Sequence, residues 1–263
     1  MLGAIAGDII GSVYEWRSIK TTEFPLFDDE RAFTDDSVLT IAVADALLGD
    51  GDFEASLRSY ARRYPDAGYG ASFKRWSLDP AAGPYDSYGN GSAMRVSAVA
   101  WFAETEDQAL DLANRSAVPT HNHPEGVKGA QATALAIWLA RDGSDAEAIR
   151  DAVSRRFGYD LSRDAATIRP GYGFDVTCQG SVPEAICCAL EAKSFEDAVR
   201  LAVSLGGDAD TQACIAGAIA EARFGLPRNI AKRALGYLDD DLRSIVVRFR
   251  RRYMSKWWTA WKP

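Results

Sequence analysis

No apolar stretch in the 263 residues approaches the ~20 that a bilayer crossing requires. The opening segment MLGAIAGDIIGS has no basic region and meets Asp8 early, so it does not read as a secretory signal. Cysteine is scarce. Cys178, Cys187, Cys188 and Cys214 show no CxxC spacing and sit in apolar segments, which argues for buried free thiols and a reducing, cytoplasmic location. Only two histidines occur, His121 and His123, with no cysteine near them, too few nitrogen and sulfur donors for a tetrahedral zinc site. Positive charge is in deficit: the net charge is -7 and the pI about 5.0. Such a surface repels phosphate backbones and anionic lipid, so general nucleic-acid or membrane binding is disfavoured. Strand signals are missing as well: no sustained alternation of β-branched residues appears. With no tandem repeat, linker or composition break, residues 1–263 are expected to form a single compact, monomeric domain.

What is present is helical. Residues 36–48, 92–103, 127–141, 181–192, 195–205, 211–223 and 228–237 repeat apolar side chains at intervals of three and four, with Gly or Pro near the ends. Pro183 and Pro227 suit first-turn positions. Gly3, Gly7 and Gly11 share one face of an N-terminal helix and predict tight packing. The helix after residue 210 carries a similarly small face of Ala213, Ala216, Gly217 and Ala220. Loops at 64–91 and 158–180 are long for passive connectors. The fold class expected is all-α.

Two short motifs carry the chemistry. Thr34-Asp35-Asp36 and Asp208-Ala209-Asp210-Thr211 each join two carboxylates and a threonine hydroxyl just before a predicted helix. Oxygen-only donors suit Mg²⁺, Mn²⁺ or Ca²⁺. Helix capping accounts for either motif alone. It does not account for paired carboxylates appearing twice. Gly206 and Gly207 precede the second cluster and let the backbone turn sharply toward a ligand. Asp8 alone reads as a polar residue at a helix edge, and Glu15 alone as a solvated side chain.

Taken together, the motifs resemble those of the ADP-ribosylglycohydrolase family. They run in order as Gly7-Asp8-x-x-Gly11-x-x-x-Glu15, Thr34-Asp35-Asp36, Gly89-Asn90-Gly91-Ser92-x-Met94-Arg95, Thr120-His121-x-His123-Pro124 and Gly207-Asp208-x-Asp210-Thr211. The resemblance implies an all-helical bundle with a binuclear metal cleft holding two Mg²⁺, with Mn²⁺ as a substitute. It also implies a metal-ligand set of Thr34, Asp35, Asp36, Asp208, Asp210 and Thr211. Glu15, Asp35 and Asp36 would be the catalytic carboxylates, with Glu15 the movable one. Asn90, Gly91, Ser92, His121 and Tyr172 would contact the substrate, Tyr172 near the adenine. Ala220-Glu221-Ala222 departs from the family's more usual Gly-Ala.

The implied reaction is metal-assisted hydrolysis of the bond between ADP-ribose and its acceptor, an ADP-ribosylated protein or other molecule, with the N-glycosidic bond to arginine favoured. Such hydrolysis passes through an oxocarbenium-like transition state. A loop heading a helix at Gly89–Ser92 would offer backbone N–H groups to phosphate. Serine, a nucleic-acid base or a small molecule are the other acceptors, and a non-catalytic ADP-ribose binder is the rival of another class. The segment Arg248, Arg250, Arg251 and Arg252 reads as a solvated helix face, and Trp257, Trp258 and Trp261 as docked on the body.

Overall fold

The computed structural model describes residues 1–255; the three terminal tryptophans lie outside them. The described backbone forms fifteen α-helices and no strand, with one antiparallel bridge pairing Gly89 and Thr177. The N-terminal part supplies α1 (Leu2–Gly11), α2 (Asp35–Leu48), α3 (Phe53–Arg63) and α4 (Ala71–Leu78). Next come α5 (Gly91–Met94), α6 (Ser97–Phe102), α7 (Glu106–Ala117), α8 (Pro124–Arg141), α9 (Ala146–Phe157) and α10 (Ala165–Ile168). The remainder is α11 (Cys178–Glu191), α12 (Phe195–Ser204), α13 (Ala209–Phe224), α14 (Arg228–Tyr237) and α15 (Asp240–Tyr253).

All seven segments expected to be helical are so, with three local corrections. The segment 92–103 is two helices, interrupted at Arg95 and Val96. Pro183 lies inside α11 beyond its first turn, where its missing N–H removes one helical bond. Pro227 is the residue before α14 and not within it. Helices α4 and α10 fall in the segments read as loops.

The centre of the fold is the pair α1 and α13. Every residue of α1 is buried, as is α13 from Ala209 to Glu221. Neither helix needs an amphipathic stripe, because neighbours cover all of their sides. Glycine makes the contact close: a Cβ added at Gly3, Gly7 or Gly11 would run into the backbone of Gly217, Ala213 or Ala209. Gly7→Ala would gain about 1 kcal/mol of helix propensity. It would lose more by forcing apart two backbones that cannot yield, as overpacking costs about 1–3 kcal/mol. A lower denaturation midpoint for this variant is the expected result.

Glu221 explains the departure noted at Ala220-Glu221-Ala222. Its carboxylate accepts from the Met1 ammonium at 2.6 Å, from the Gly3 N–H at 2.8 Å and from Arg250 at 2.5 Å, all buried. Arg250 therefore leaves the basic run and points inward, whereas Arg248, Arg251 and Arg252 are exposed as expected.

Candidate metal centre and cleft

Two helix starts face each other across one cleft. Thr34 precedes α2, and its hydroxyl accepts from the Asp36 N–H at 3.3 Å, so capping is part of its role. Asp208 occupies the same position before α13, yet its carboxylate caps nothing. It accepts instead from Asn90 Nδ2 at 2.7 Å. The second motif therefore uses its carboxylate for something other than helix capping.

Asp8 ties the first motif in place. From the interior of α1 it accepts the Thr34 N–H at 3.0 Å, the Thr34 hydroxyl at 2.7 Å, the Ser37 N–H at 3.0 Å and the Ser37 hydroxyl. Its reading as an edge residue is corrected: it is fully buried. The signal was a carboxylate interrupting an otherwise apolar run, since burying a charge needs compensation.

The acids form two groups. Carboxylate oxygens of Asp8, Asp36 and Asp210 lie within 4.8 Å of one another, and so do those of Glu15, Asp208 and Asp210. Asp210 belongs to both. Thr211 Oγ1 donates to Asp36 Oδ2 at 3.2 Å, which links the two motifs directly. Asp35 lines the cleft beside them. Burial first, then mutual repulsion centred on Asp210, holds Asp35 and Asp36 well above the usual carboxylate range. The same causes push Glu15 to about 7. Asp208 rises to about 6, chiefly through burial. Among the described residues no basic side chain forms an ion pair with any of these six carboxylates, and the buried Asp36 Oδ1 has no hydrogen-bond donor. This is a concentration of negative oxygen donors without its counter-charge.

The cleft itself measures about 580 Å³. Acidic residues line it together with Gly89, Asn90, Gly91, Arg95 and His121, and with aromatic residues Trp16, Tyr69, Phe73, Tyr85 and Phe174. Trp16 and Phe174 are exposed, with ring centroids 5.7 Å apart. Of the predicted substrate contacts, Asn90, Gly91 and His121 reach the cleft. Ser92 does not line it: the hydroxyl is fully buried and donates to the Gly126 carbonyl at 2.6 Å. Tyr172 is also turned away, donating to the Gly180 carbonyl at 2.6 Å and accepting from Gln212 at 2.9 Å. Phe174 of the same loop lies in the cleft wall instead. The helix after the Gly89–Ser92 loop is only the single turn α5, and Asn90 N–H is engaged by the Val176 carbonyl at 2.8 Å. The loop thus heads a helix as expected, but one of a single turn. His123 caps α8 by accepting the Glu125 N–H at 3.1 Å, with Pro124 in the first turn.

The ADP-ribosylglycohydrolase family model matches residues 1–258. The chain is 28% identical to ADP-ribosylhydrolase ARH3 from Bos taurus, over 92% of this chain and 89% of that protein. It is 27% identical to ADP-ribosylarginine hydrolase Tri1 from Pseudomonas putida, over 86% of this chain and 70% of that protein. A solved structure described as an ADP-ribosylglycohydrolase-related protein complex superposes with a TM-score of 0.70 at 25% identity, covering 96% of both chains.

Proposed function

The chain belongs to the ADP-ribosylglycohydrolase family, and from that premise we propose that it hydrolyses the glycosidic bond between ADP-ribose and an arginine side chain with the help of divalent metal. The observation that carries this reading is the pair of carboxylate groups sharing Asp210, with no basic side chain among the described residues paired to them. The donor set fits hard divalent ions: it is all oxygen, it is crowded, and it includes a buried unpartnered carboxylate oxygen. Asp36, Asp208 and Asp210 would hold two Mg²⁺ (or Mn²⁺), with Asp35, Thr34 and Thr211 completing the set. When bound, such ions supply positive charge that polarises sugar oxygens and lowers the pKa of water.

The chain's own groups then have distinct tasks. Asp8 holds the Thr34–Ser37 turn rigid, and Asn90 holds Asp208, so the donors are placed before a ligand arrives. Glu15 lies at the rim, half-buried beside exposed Trp16. It is the carboxylate best placed to move a proton between water and the leaving group, with Asp35 and Asp36 deeper in the cleft. Gly89 and Gly91 let the diphosphate pass close to the backbone. At the mouth, Trp16 and Phe174 offer ring faces that suit a planar guanidinium by cation–π contact. A relative named for ADP-ribosylarginine supports the same acceptor.

Peptides carrying ADP-ribose on arginine or serine, and ADP-ribosylated nucleic acid, offered with Mg²⁺ and with excess chelator, test this directly. Release of ADP-ribose from arginine with Mg²⁺ alone is expected. Undiminished release in chelator refutes the metal scheme. Release from serine or base alone refutes the acceptor, and tight ADP-ribose binding without release marks a non-catalytic binder.

A further inference from the structure

His121 enters the cleft wall from the turn before α8, and its neighbours decide which ring nitrogen carries the proton. Thr120 Oγ1 lies 2.7 Å from His121 Nδ1 and 2.9 Å from Arg95 Nη2. A guanidinium can only donate, so the threonine oxygen accepts from Arg95 and keeps its single proton for another acceptor. Three acceptors are in reach: Nδ1 at 2.7 Å, the Tyr85 hydroxyl, whose phenol oxygen is a much weaker base than an imidazole nitrogen, and the Ala117 carbonyl at 3.5 Å. That carbonyl already accepts the Thr120 N–H at 3.1 Å and the His121 N–H at 2.8 Å. The hydroxyl proton therefore goes to Nδ1, which leaves the ring's own proton on Nε2.

We infer that Arg95 and Thr120 are positioning residues: they lock His121 as the Nε2–H tautomer, so that the ring presents a neutral hydrogen-bond donor to the cleft. The exposed edge is the correct one. A Cβ added at Gly91 would lie 3.2 Å from His121 Nε2, and one at Gly89 3.6 Å away, and both glycines line the cleft. Among the described residues nothing hydrogen-bonds Nε2. Burial, then the nearby Arg95 charge, hold His121 well below its usual pKa, so a second proton does not substitute for the lock. Arg95 is fully buried and its own pKa falls to about 10, which still leaves it cationic at neutral pH. The inference rests on the ADP-ribose reading in one respect: a diphosphate oxygen can only accept, and the opposite tautomer would turn a lone pair toward it.

Nitrogen-15 spectra of the two imidazoles report the tautomer without any ligand. His123→Asn assigns the signals, since the chain has only two histidines. The Nε2–H pattern is expected for His121 in the native chain and in Thr120→Ser, which keeps the hydroxyl. Thr120→Val keeps the shape and removes the proton relay. It is expected to give mixed tautomers and to weaken ADP-ribose binding about tenfold, the factor associated with one hydrogen bond to a charged group, while Thr120→Ser stays within about twofold of the native chain. An Nδ1–H pattern in the native chain overturns the lock, and so does native tautomer and affinity in Thr120→Val. Should the valine variant not fold, the native spectrum alone decides. Failure of the native chain to bind ADP-ribose would strike the functional reading, whereas the tautomer seen in the spectra would still decide the relay.

Discussion

Asp210→Asn is expected to lower turnover by well over 100-fold and, in the absence of metal, to raise the melting temperature. Loss of an outer hydrogen-bond partner at a metal site already costs roughly 10–100-fold, and Asp210 is the carboxylate common to both acidic groups. The stability gain has an electrostatic origin. Burial and the neighbouring Asp208 and Asp8 charges make the ionised Asp210 unfavourable in the metal-free fold. Asparagine removes that charge, keeps an oxygen for the Thr211 N–H that Asp210 accepts at 2.9 Å, and adds a donor for its acidic neighbours. A gain of about 1 kcal/mol moves the midpoint of a protein this size by roughly 2 °C. Thermal scans in chelator and in Mg²⁺ separate the effects: metal should stabilise the native chain by mass action and do little for the variant. Native-like turnover, or a less stable metal-free variant, would remove Asp210 from the centre of the site.

The second large effect concerns Glu221. Glu221→Gln keeps the shape but takes the negative charge away from the buried Met1 ammonium and breaks the Glu221–Arg250 ion pair. Breaking a buried pair costs about 3–5 kcal/mol, a fall of roughly 10 °C in the midpoint. The pH dependence has a definite sign. Burial opposes the charge on Glu221, but the ammonium and Arg250 overcome it and bring the carboxyl from the ordinary 4.5 to about 2. Burial pushes the ammonium's own pKa down; the 2.6 Å contact with a carboxylate this acidic favours the charged pair. A depressed carboxyl contributes stability that is complete above pH 4.5 and disappears as pH falls toward 2. The gap between native and Glu221→Gln should therefore be wide at neutral pH and close across that window. A pH-independent gap would mean that packing, not charge, is what Glu221 provides.

Much of this was readable along the chain, and the exceptions have physical causes. Buried helices such as α13 and α8 announce themselves by small and apolar residues in helical rhythm. The surface helices α3, α7, α9 and α15 lie outside the segments whose periodicity predicts a helix, although Asp52, Thr105, Asp145 and Asp239 each cap one of them with a side-chain oxygen. Their charged outer faces dilute the apolar pattern, and the cap is then the better signal. The paired acid motifs pointed to the site, and the structure brings Asp36, Asp208 and Asp210 together there. Asp8 and Arg95 escaped because their partners are distant in the chain, and Thr120 because its hydroxyl joins the distant Arg95 to its neighbour His121: a buried polar side chain shows its role only once the groups it satisfies are known. Ser92 and Tyr172 carry hydroxyls in the right segments, yet nearby carbonyls capture them, and no local pattern foretells that.

The clasp between glycine-lined α1 and small-faced α13 also sets a timetable. Asp8 and Asp36 leave the ribosome before Asp208 and Asp210, which follow more than 170 residues after Asp36. At the ~5–20 residues per second typical of translation, the nascent chain must wait roughly ten seconds or longer before α13 can dock in the groove of α1. Until then α1 has no partner for its glycine face, and the acids beside α1 and α2 cannot meet those that open α13. An interrupted product lacking α13 would thus be inert as an enzyme and would expose the apolar helix meant for its centre, a form suited to capture by chaperones or proteases.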